Sequence, residues 1–262
     1  MSRRRILNSL RLYHIPNIYL CDLVNKDESG DMAEFLLAIM LFLIAHLVPS
    51  APPVRTRLIA WLGRRVYLVG YSLVSLALIA WIISAALRAP YLPLWTPAPW
   101  QTLVPILLMP VATWLLLAGL IEPNSLSISL RPADSKTELG PAAAVTRHPV
   151  LWAFLLWAGS HIPPNGDVAS VILFGGMTML AIAGFAVLDS RARRRLGEKR
   201  WQSLTTPTSI LPFAAILDGR VRIRFSARLL FSVAVAIAAY LWFLLQGHKF
   251  FIGVDPLTWF HS

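Results

Sequence analysis

The sequence contains few charged residues, which occupy 14% of its 262 positions. A typical soluble domain carries about 25% charged residues, so this composition argues against a soluble globular protein. Apolar residues reach 56%, and the charges cluster in short basic stretches between long uncharged runs. This alternation is typical of a polytopic membrane protein made of α-helices.

Cysteine is nearly absent, because Cys21 is the single one in the chain. An internal disulfide is therefore excluded, and no cysteine spacing indicates a metal centre. Acidic residues are also scarce, with 13 Asp and Glu against 24 Lys and Arg and a net charge of +11. The basic residues lie in short loops between apolar spans, so we interpret them as topology signals and expect no nucleic-acid partner.

Six apolar stretches are candidates for membrane helices. They lie at about residues 33–49, 66–87, 101–121, 145–167, 168–188 and 229–246. The predicted fold is therefore all-α: a polytopic integral membrane helix bundle with about six transmembrane helices. Its membrane domain covers residues 32–246, and residues 247–262 form a short C-terminal tail.

The first 31 residues do not resemble the membrane domain. Residues 1–31 lack the continuous apolar core of a signal peptide and end in a polar cluster immediately before Met32. We interpret them as a doubtful N-terminal extension and Met32 as the alternative start.

Basic residues are distributed unequally between alternate loops. Seventeen Lys and Arg residues lie in residues 50–65, 122–149 and 189–228, and two lie in the alternate regions. We expect the three basic loops to be cytoplasmic. Within the third loop, residues 206–220 form an apolar segment too short to span, which predicts an interfacial or re-entrant segment.

Ionisable residues other than histidine are lacking well inside the predicted spans, which argues against ion-coupled transport. His46, His148 and His161 lie at or near membrane depth. Each alone is explained by a neutral imidazole bonded to a backbone carbonyl. Three together, without carboxylates, favour metal ligation over a proton relay. Two histidines from different helices are what bis-imidazole haem ligation requires.

The surroundings of these histidines suggest two kinds of site. Phe154, Trp157 and Ala158 share the helical face of His161, a stripe that a plain core also explains. His148 precedes Pro149, so it stands with Arg147 at the start of a helix, where free amides and a guanidinium attract anions. Arg147 and His148 are therefore candidate cofactor-binding residues, for a haem propionate, a nucleotide cofactor or a lipid headgroup.

Several motifs in combination resemble the NnrU family, which includes the 15-cis-zeta-carotene isomerase of plants and cyanobacteria. These motifs are T-R-H-P, S-H-x-x-x-N-G-D, the L-F-G-G of 173–176, the A-H-L-V-P of 45–49 and the T-S-I-L-P-F-A-A-I-L-D-G-R of 208–220. The resemblance extends from Met32 to about residue 245. It implies an integral membrane protein, with a bacterial inner membrane as the expected location.

The resemblance also implies a haem b cofactor, with His46 and His161 as its iron ligands. If the helices are straight and cross the membrane simply, however, His46 and His148 are the two histidines at the same depth in the membrane. Two roles are implied: one in nitrite and nitric oxide metabolism during denitrification, the other in redox-dependent cis-trans isomerisation of a polyene. The isomerase branch has a cysteine where this chain has Ala158. Expected partners are membrane lipid, haem, and a lipophilic substrate or an electron donor.

Two other functions are consistent with some of these sequence features. The Arg-His-Pro triplet before an apolar helix also resembles isoprenylcysteine carboxyl methyltransferases, in which Arg147 and His148 would hold S-adenosylmethionine. Those enzymes read R-H-P-x-Y-x-G and place paired glutamates after the next helix, whereas this chain reads R-H-P-V-L-W-A and then L-D-S-R. An isomerase is thus favoured over a methyltransferase if the protein is an enzyme. The other alternative is a non-catalytic membrane scaffold or transporter with structural histidines.

Overall fold

A computed structural model describes residues 32–49, 51–131, 139–222 and 227–260. The predicted extension at residues 1–31 lies outside the described residues. Within the described part the chain is helical and contains no β-strand, apart from one isolated bridge between Pro93 and Asp167. The predicted all-α class is therefore confirmed. The described helices fall into two compact units.

The first unit comprises the described part of Met1–Trp95 together with Asp167–Leu173. Its helices are α1 (Met32–Leu47), α2 (Pro52–Leu62) and α3 (Arg64–Arg88). Gly63 separates α2 from α3 in a positive-φ conformation (φ 77°), which glycine adopts without steric cost.

Polar contacts join α1 to α3 at the beginning of α1. The Glu34 carboxylate accepts hydrogen bonds from the indole of Trp81 at 3.0 Å and the guanidinium of Arg88 at 2.6 Å. At the other end of the pair, the Tyr67 hydroxyl donates to the carbonyl of Pro49 at 3.0 Å. The start of α1 therefore lies beside the end of α3, as in an antiparallel pair.

The second unit comprises the described parts of Thr96–Gly166 and Phe174–Ser262. Its helices are α4 (Pro99–Ile121), α5 (Pro141–Val145), α6 (Pro149–His161), the greater part of α7 (Val168–Leu196), α8 (Glu198–Thr205), α9 (Ala214–Leu217) and α10 (Ala227–Trp242). A π-helical turn, Phe243–Gly247, continues α10 into α11 (His248–Ile252), and a 3₁₀ turn follows at Thr258–Phe260. Helix α4 packs against both α6 and α10.

Four of the described helices are long and apolar enough to cross a membrane. They are Arg64–Arg88, Pro99–Ile121, Val168–Leu196 and Leu229–Ile252. Helices α1 and α6 have 16 and 13 residues, or about 24 Å and 20 Å of axial rise, against a hydrocarbon core of about 30 Å. The chain is therefore an all-helical protein with four candidate membrane spans, and the count of six stays a prediction.

Two internal prolines interrupt the hydrogen bonding of α4. Pro110 has no amide hydrogen, so the carbonyl of Ile106 loses its normal helical donor. The hydroxyl of Tyr240, on α10, donates to that carbonyl at 2.9 Å. A polar group that lipid cannot satisfy is thus satisfied by the neighbouring helix.

Candidate functional site

The Arg-His-Pro triplet forms the start of α6. Pro149 occupies the first helical turn, and His148, the residue before proline, takes a non-helical N-cap conformation (φ −121°, ψ 67°). The carbonyl of His148 accepts the first helical bond, from the Trp152 amide at 3.1 Å. The side chain of His148 is fully buried.

Asp189, on α7, accepts hydrogen bonds from the side chains of both Arg147 and His148. Arg147 Nη1 donates to Asp189 Oδ2 at 2.6 Å, and His148 Nε2 donates to Asp189 Oδ1 at 3.0 Å. The side chains of Arg147 and Asp189 are only 11% and 17% exposed. We call Arg147, His148 and Asp189 the buried triad; its charges compensate one another inside the second unit.

The remaining donors of Arg147 also face the protein. Its Nε donates to the hydroxyl of Thr208 at 3.2 Å, and its Nη2 donates to the carbonyl of Thr205 at 3.3 Å. The guanidinium thus ties α6 to α7 and to the loop after α8. His148 Nδ1 is buried without a hydrogen-bond partner within the described part of the chain. The assignment of Arg147 and His148 to a cofactor stays a prediction.

Asp189 was not among the residues predicted for the site. It lies 42 residues after Arg147, so no local pattern links them. One signal was present, because Asp189 is the single acidic residue of α7, at the end of its apolar run. A carboxylate at that position needs a cationic partner.

His161 lies at the end of α6 among aromatic rings. Its Nδ1 donates to the carbonyl of Trp157 at 2.6 Å, since a carbonyl oxygen only accepts. The imidazole stacks on Phe174 with ring centres 5.2 Å apart, and the Trp157 ring lies 6.1 Å away. In the neutral ring, Nε2 therefore carries a lone pair, and no described residue donates a hydrogen bond to it.

The N-G-D motif organises the turn that follows His161. The side-chain amide of Asn165 donates to the carbonyl of His161 at 2.7 Å, which satisfies a free carbonyl at the end of α6. Asp167 then accepts from the amide and the hydroxyl of Ser170 in the first turn of α7, at 3.1 Å and 2.6 Å. Asn165 and Asp167 therefore serve as helix caps.

His46 has the same hydrogen-bonding pattern in the first unit. Its Nδ1 donates to the carbonyl of Phe42 at 2.8 Å, four residues earlier in α1. Its Nε2 then accepts from the hydroxyl of Ser75, on α3, at 3.1 Å. The Phe42 and Tyr71 rings lie 3.9 Å and 5.5 Å from the imidazole.

Both histidines therefore fit the requirements of a metal-ligand imidazole. A ligating histidine characteristically donates one ring N–H to a carbonyl, which orients the ring and leaves the other nitrogen for the metal. His161 has that arrangement in the second unit. His46 has the same Nδ1 hydrogen bond in the first unit, but its Nε2 accepts a hydrogen bond from Ser75. The described residues contain no group of three or more His, Cys, Asp or Glu side chains able to hold a metal ion. The histidine pair stays a prediction, as does the alternative pair with His148.

An apolar cavity of about 240 Å³ lies between α4 and α6 in the second unit. Its lining residues are Met109, Ala112, Thr113, Leu116, Ala153, Phe154 and Trp157. Trp157 also carries the carbonyl that orients His161. The cavity therefore lies beside the predicted ligand histidine.

The long apolar helices define the class of this protein as an all-helical integral membrane protein. The chain belongs to the NnrU family, because the family model described as NnrU protein matches residues 34–256. A comparison with curated proteins and with solved structures finds no match. The predicted family is thus confirmed.

Proposed function

We propose that this NnrU-family membrane protein binds haem b, with His46 and His161 as the iron ligands. The observation that supports the proposal is that each imidazole makes the same kind of hydrogen bond within its own unit. Each donates Nδ1–H to the carbonyl four residues earlier, which fixes the lone pair on Nε2. In His46 that lone pair accepts from the Ser75 hydroxyl, which iron would displace. Neutral imidazole with a fixed tautomer is a common axial ligand of haem iron.

The residues around each histidine would orient the ligand and exclude water. Phe174 and Trp157 flank the ring of His161, and Phe42 and Tyr71 flank that of His46. Haem b, when bound, supplies an iron centre able to change oxidation state. Its potential depends on the ligands and on burial in an apolar setting.

The biological role that we propose follows the two branches of the family resemblance. One is a role in nitrite and nitric oxide metabolism, and the other is redox-dependent isomerisation of a polyene. The apolar cavity beside Trp157 supports a lipophilic substrate. Ala158 is fully buried at the position where the isomerase branch has a cysteine, so a thiolate ligand is absent there. Methyl transfer is not supported, because the guanidinium of Arg147 already donates hydrogen bonds to Thr208, Asp189 and Thr205 of the protein.

We also propose six membrane helices in a bacterial inner membrane, with the basic loops 50–65, 122–149 and 189–228 on the cytoplasmic side. Contacts within the second unit support part of this topology. Arg147 binds Asp189, and Arg195 donates to the carbonyl of Ser125. The described parts of the loops at 122–149 and 189–228 that make these contacts therefore lie at the same end of that unit.

The proposal is tested by the absorption spectrum of protein expressed with ample haem and purified in detergent. We expect a Soret band whose position shifts on reduction, as for six-coordinate haem. His46→Ala and His161→Ala should each lose most of the bound haem or become five-coordinate. Added imidazole should restore the six-coordinate spectrum, because it replaces the missing ligand.

The control is Ser72→Ala, at an exposed position on α3, and not a variant of His248, because His248 is only half-buried and interacts electrostatically with His161. Ser72→Ala should retain the parent spectrum. Absence of a Soret band in the parent protein would overturn the haem assignment. Unchanged spectra in both His46→Ala and His161→Ala would overturn the ligand assignment.

A further inference from the structure

Residues 209–217, which we call the surface segment, are fixed to the start of α6. The carbonyl of Ile210 accepts hydrogen bonds from the Thr146 hydroxyl and the Trp152 indole, each at 2.8 Å. The carbonyl of Ser209 accepts from the Arg147 amide at 2.7 Å. These bonds hold the segment at the end of the second unit where α6 begins.

The surface segment presents three large apolar side chains outward. Leu211, Phe213 and Leu217 are 63%, 50% and 83% exposed. Between them, Ala215 is fully buried and Ile216 packs against the core around Leu115 and Val145. The segment therefore has one side against the protein and one apolar side without a covering element in the described part of the chain.

Phe213 holds an unusual backbone conformation within this segment. Its φ of 64° lies in the left-handed region, which costs a residue with a side chain about 1–2 kcal/mol. The Phe213 amide donates to the carbonyl of Val145 at 2.8 Å, so the conformation is held by the start of α6. A strained residue with an exposed aromatic side chain is typical of a functional contact.

Two cations in the same part of the sequence are already compensated. Arg220 binds Asp218 and the carbonyls of Thr206 and Thr208. Arg193 donates to Glu198, and this hydrogen bond holds the pKa of the Glu198 carboxyl below its usual range.

Three other cations, which precede or follow the segment in the sequence, lack such compensation. Arg191, Lys199 and Arg222 are exposed, and none forms an ion pair with another described residue. An anionic surface would complement these charges.

We propose that the surface segment is an anchor in the membrane interface, with Leu211, Phe213 and Leu217 inserted at the level of the headgroups and upper acyl chains. Arg191, Lys199 and Arg222 contact the phosphates of anionic lipids beside it. Apolar side chains flanked by cations are the combination that binds an anionic bilayer surface. The segment lies in the connection between two candidate membrane spans, since α7 ends at Leu196 and the next candidate span begins at Leu229. This proposal does not depend on haem.

Lipid contact is measured by quenching in nanodiscs of phosphatidylcholine and phosphatidylglycerol. In a Cys21→Ser background, Leu217→Cys or Phe213→Cys carries an environment-sensitive fluorophore, and a doxyl group on the upper acyl chain is the quencher. The control is Gln202→Cys, at an exposed polar position on α8. We expect at least twofold stronger quenching at 217 and 213 than at 202. Equal, weak quenching at all three positions would show that the surface segment does not contact lipid. Its apolar side would then be a contact surface for a protein partner or for a second copy of the chain.

Headgroup selectivity is measured with the same Leu217→Cys probe. Doxyl-labelled phosphatidylglycerol should quench it more than the phosphatidylcholine analogue does. Replacing Arg191, Lys199 and Arg222 together by Gln should abolish that difference while the protein stays monodisperse with an unchanged unfolding temperature. Equal quenching by the two lipids in the parent protein would overturn the role of the three cations.

Discussion

At the scale of single residues, Asp189 has the largest expected effect on stability. It accepts hydrogen bonds from Arg147 and from fully buried His148. Asp189→Asn keeps the shape but leaves the guanidinium without a countercharge, which should cost about 3–5 kcal/mol of unfolding free energy. The measurement is the thermal unfolding midpoint in detergent.

The control for Asp189 is Asp218→Asn, which removes the exposed partner of Arg220. That change should cost less than about 1 kcal/mol, because exposed ion pairs contribute little. The double variant Arg147→Gln with Asp189→Asn should be less destabilised than the sum of the single variants, since no buried charge is left alone. Strict additivity would contradict the coupling within the buried triad.

Ser75 is the second informative residue, because its hydroxyl occupies the nitrogen of His46 that we assign to iron. Ser75→Ala removes this competitor, which is worth about 0.5–1.5 kcal/mol. Haem affinity should therefore rise roughly 2- to 10-fold, as measured by titrating the haem-free protein with haem. Ser72→Ala, at an exposed position on the same helix, should leave the affinity unchanged. A weaker affinity in Ser75→Ala would show that the hydroxyl supports the ligand instead of competing with it.

At the scale of elements, the sequence predicted the long helices well and the short ones poorly. The predicted spans at 66–87 and 101–121 correspond to α3 and α4 within two residues at each end. The fifth predicted span, 168–188, continues as α7 through an arginine-rich last turn to Leu196. Helices α1 and α6 are shorter than a bilayer, and hydropathy alone does not give the residue at which a helix begins.

Candidate site residues could be selected from the sequence where the chemistry lies in one segment, and their role stays a prediction. His46 and His161 stood out as ionisable residues in apolar helices. The carbonyls that orient them lie four residues earlier, a spacing that helical geometry allows but does not require. Asp189 could not be paired with Arg147 because that contact depends on how α6 and α7 pack.

The contact between α4 and α10 yields a prediction at this scale. Tyr240→Phe leaves the carbonyl of Ile106 without a donor and should cost about 0.5–1.5 kcal/mol of unfolding free energy. Pro110→Ala restores the missing amide inside α4, so in that background Tyr240→Phe should cost little. Comparing the unfolding midpoints of the four proteins measures the coupling. Equal costs in both backgrounds would show that the tyrosine does not compensate for the proline.

At the scale of the whole molecule, the distribution of charge predicts the orientation in the membrane. Seventeen Lys and Arg residues lie in the three basic loops and two in the alternate regions, so translocating the basic loops would be strongly disfavoured. In intact cells and a Cys21→Ser background, Ser203→Cys, on α8, should resist a membrane-impermeant maleimide. Thr96→Cys, between α3 and α4, should react, and permeabilised cells should label both. Labelling of Ser203→Cys in intact cells would reverse the orientation and place the buried triad and the surface segment at the outer face.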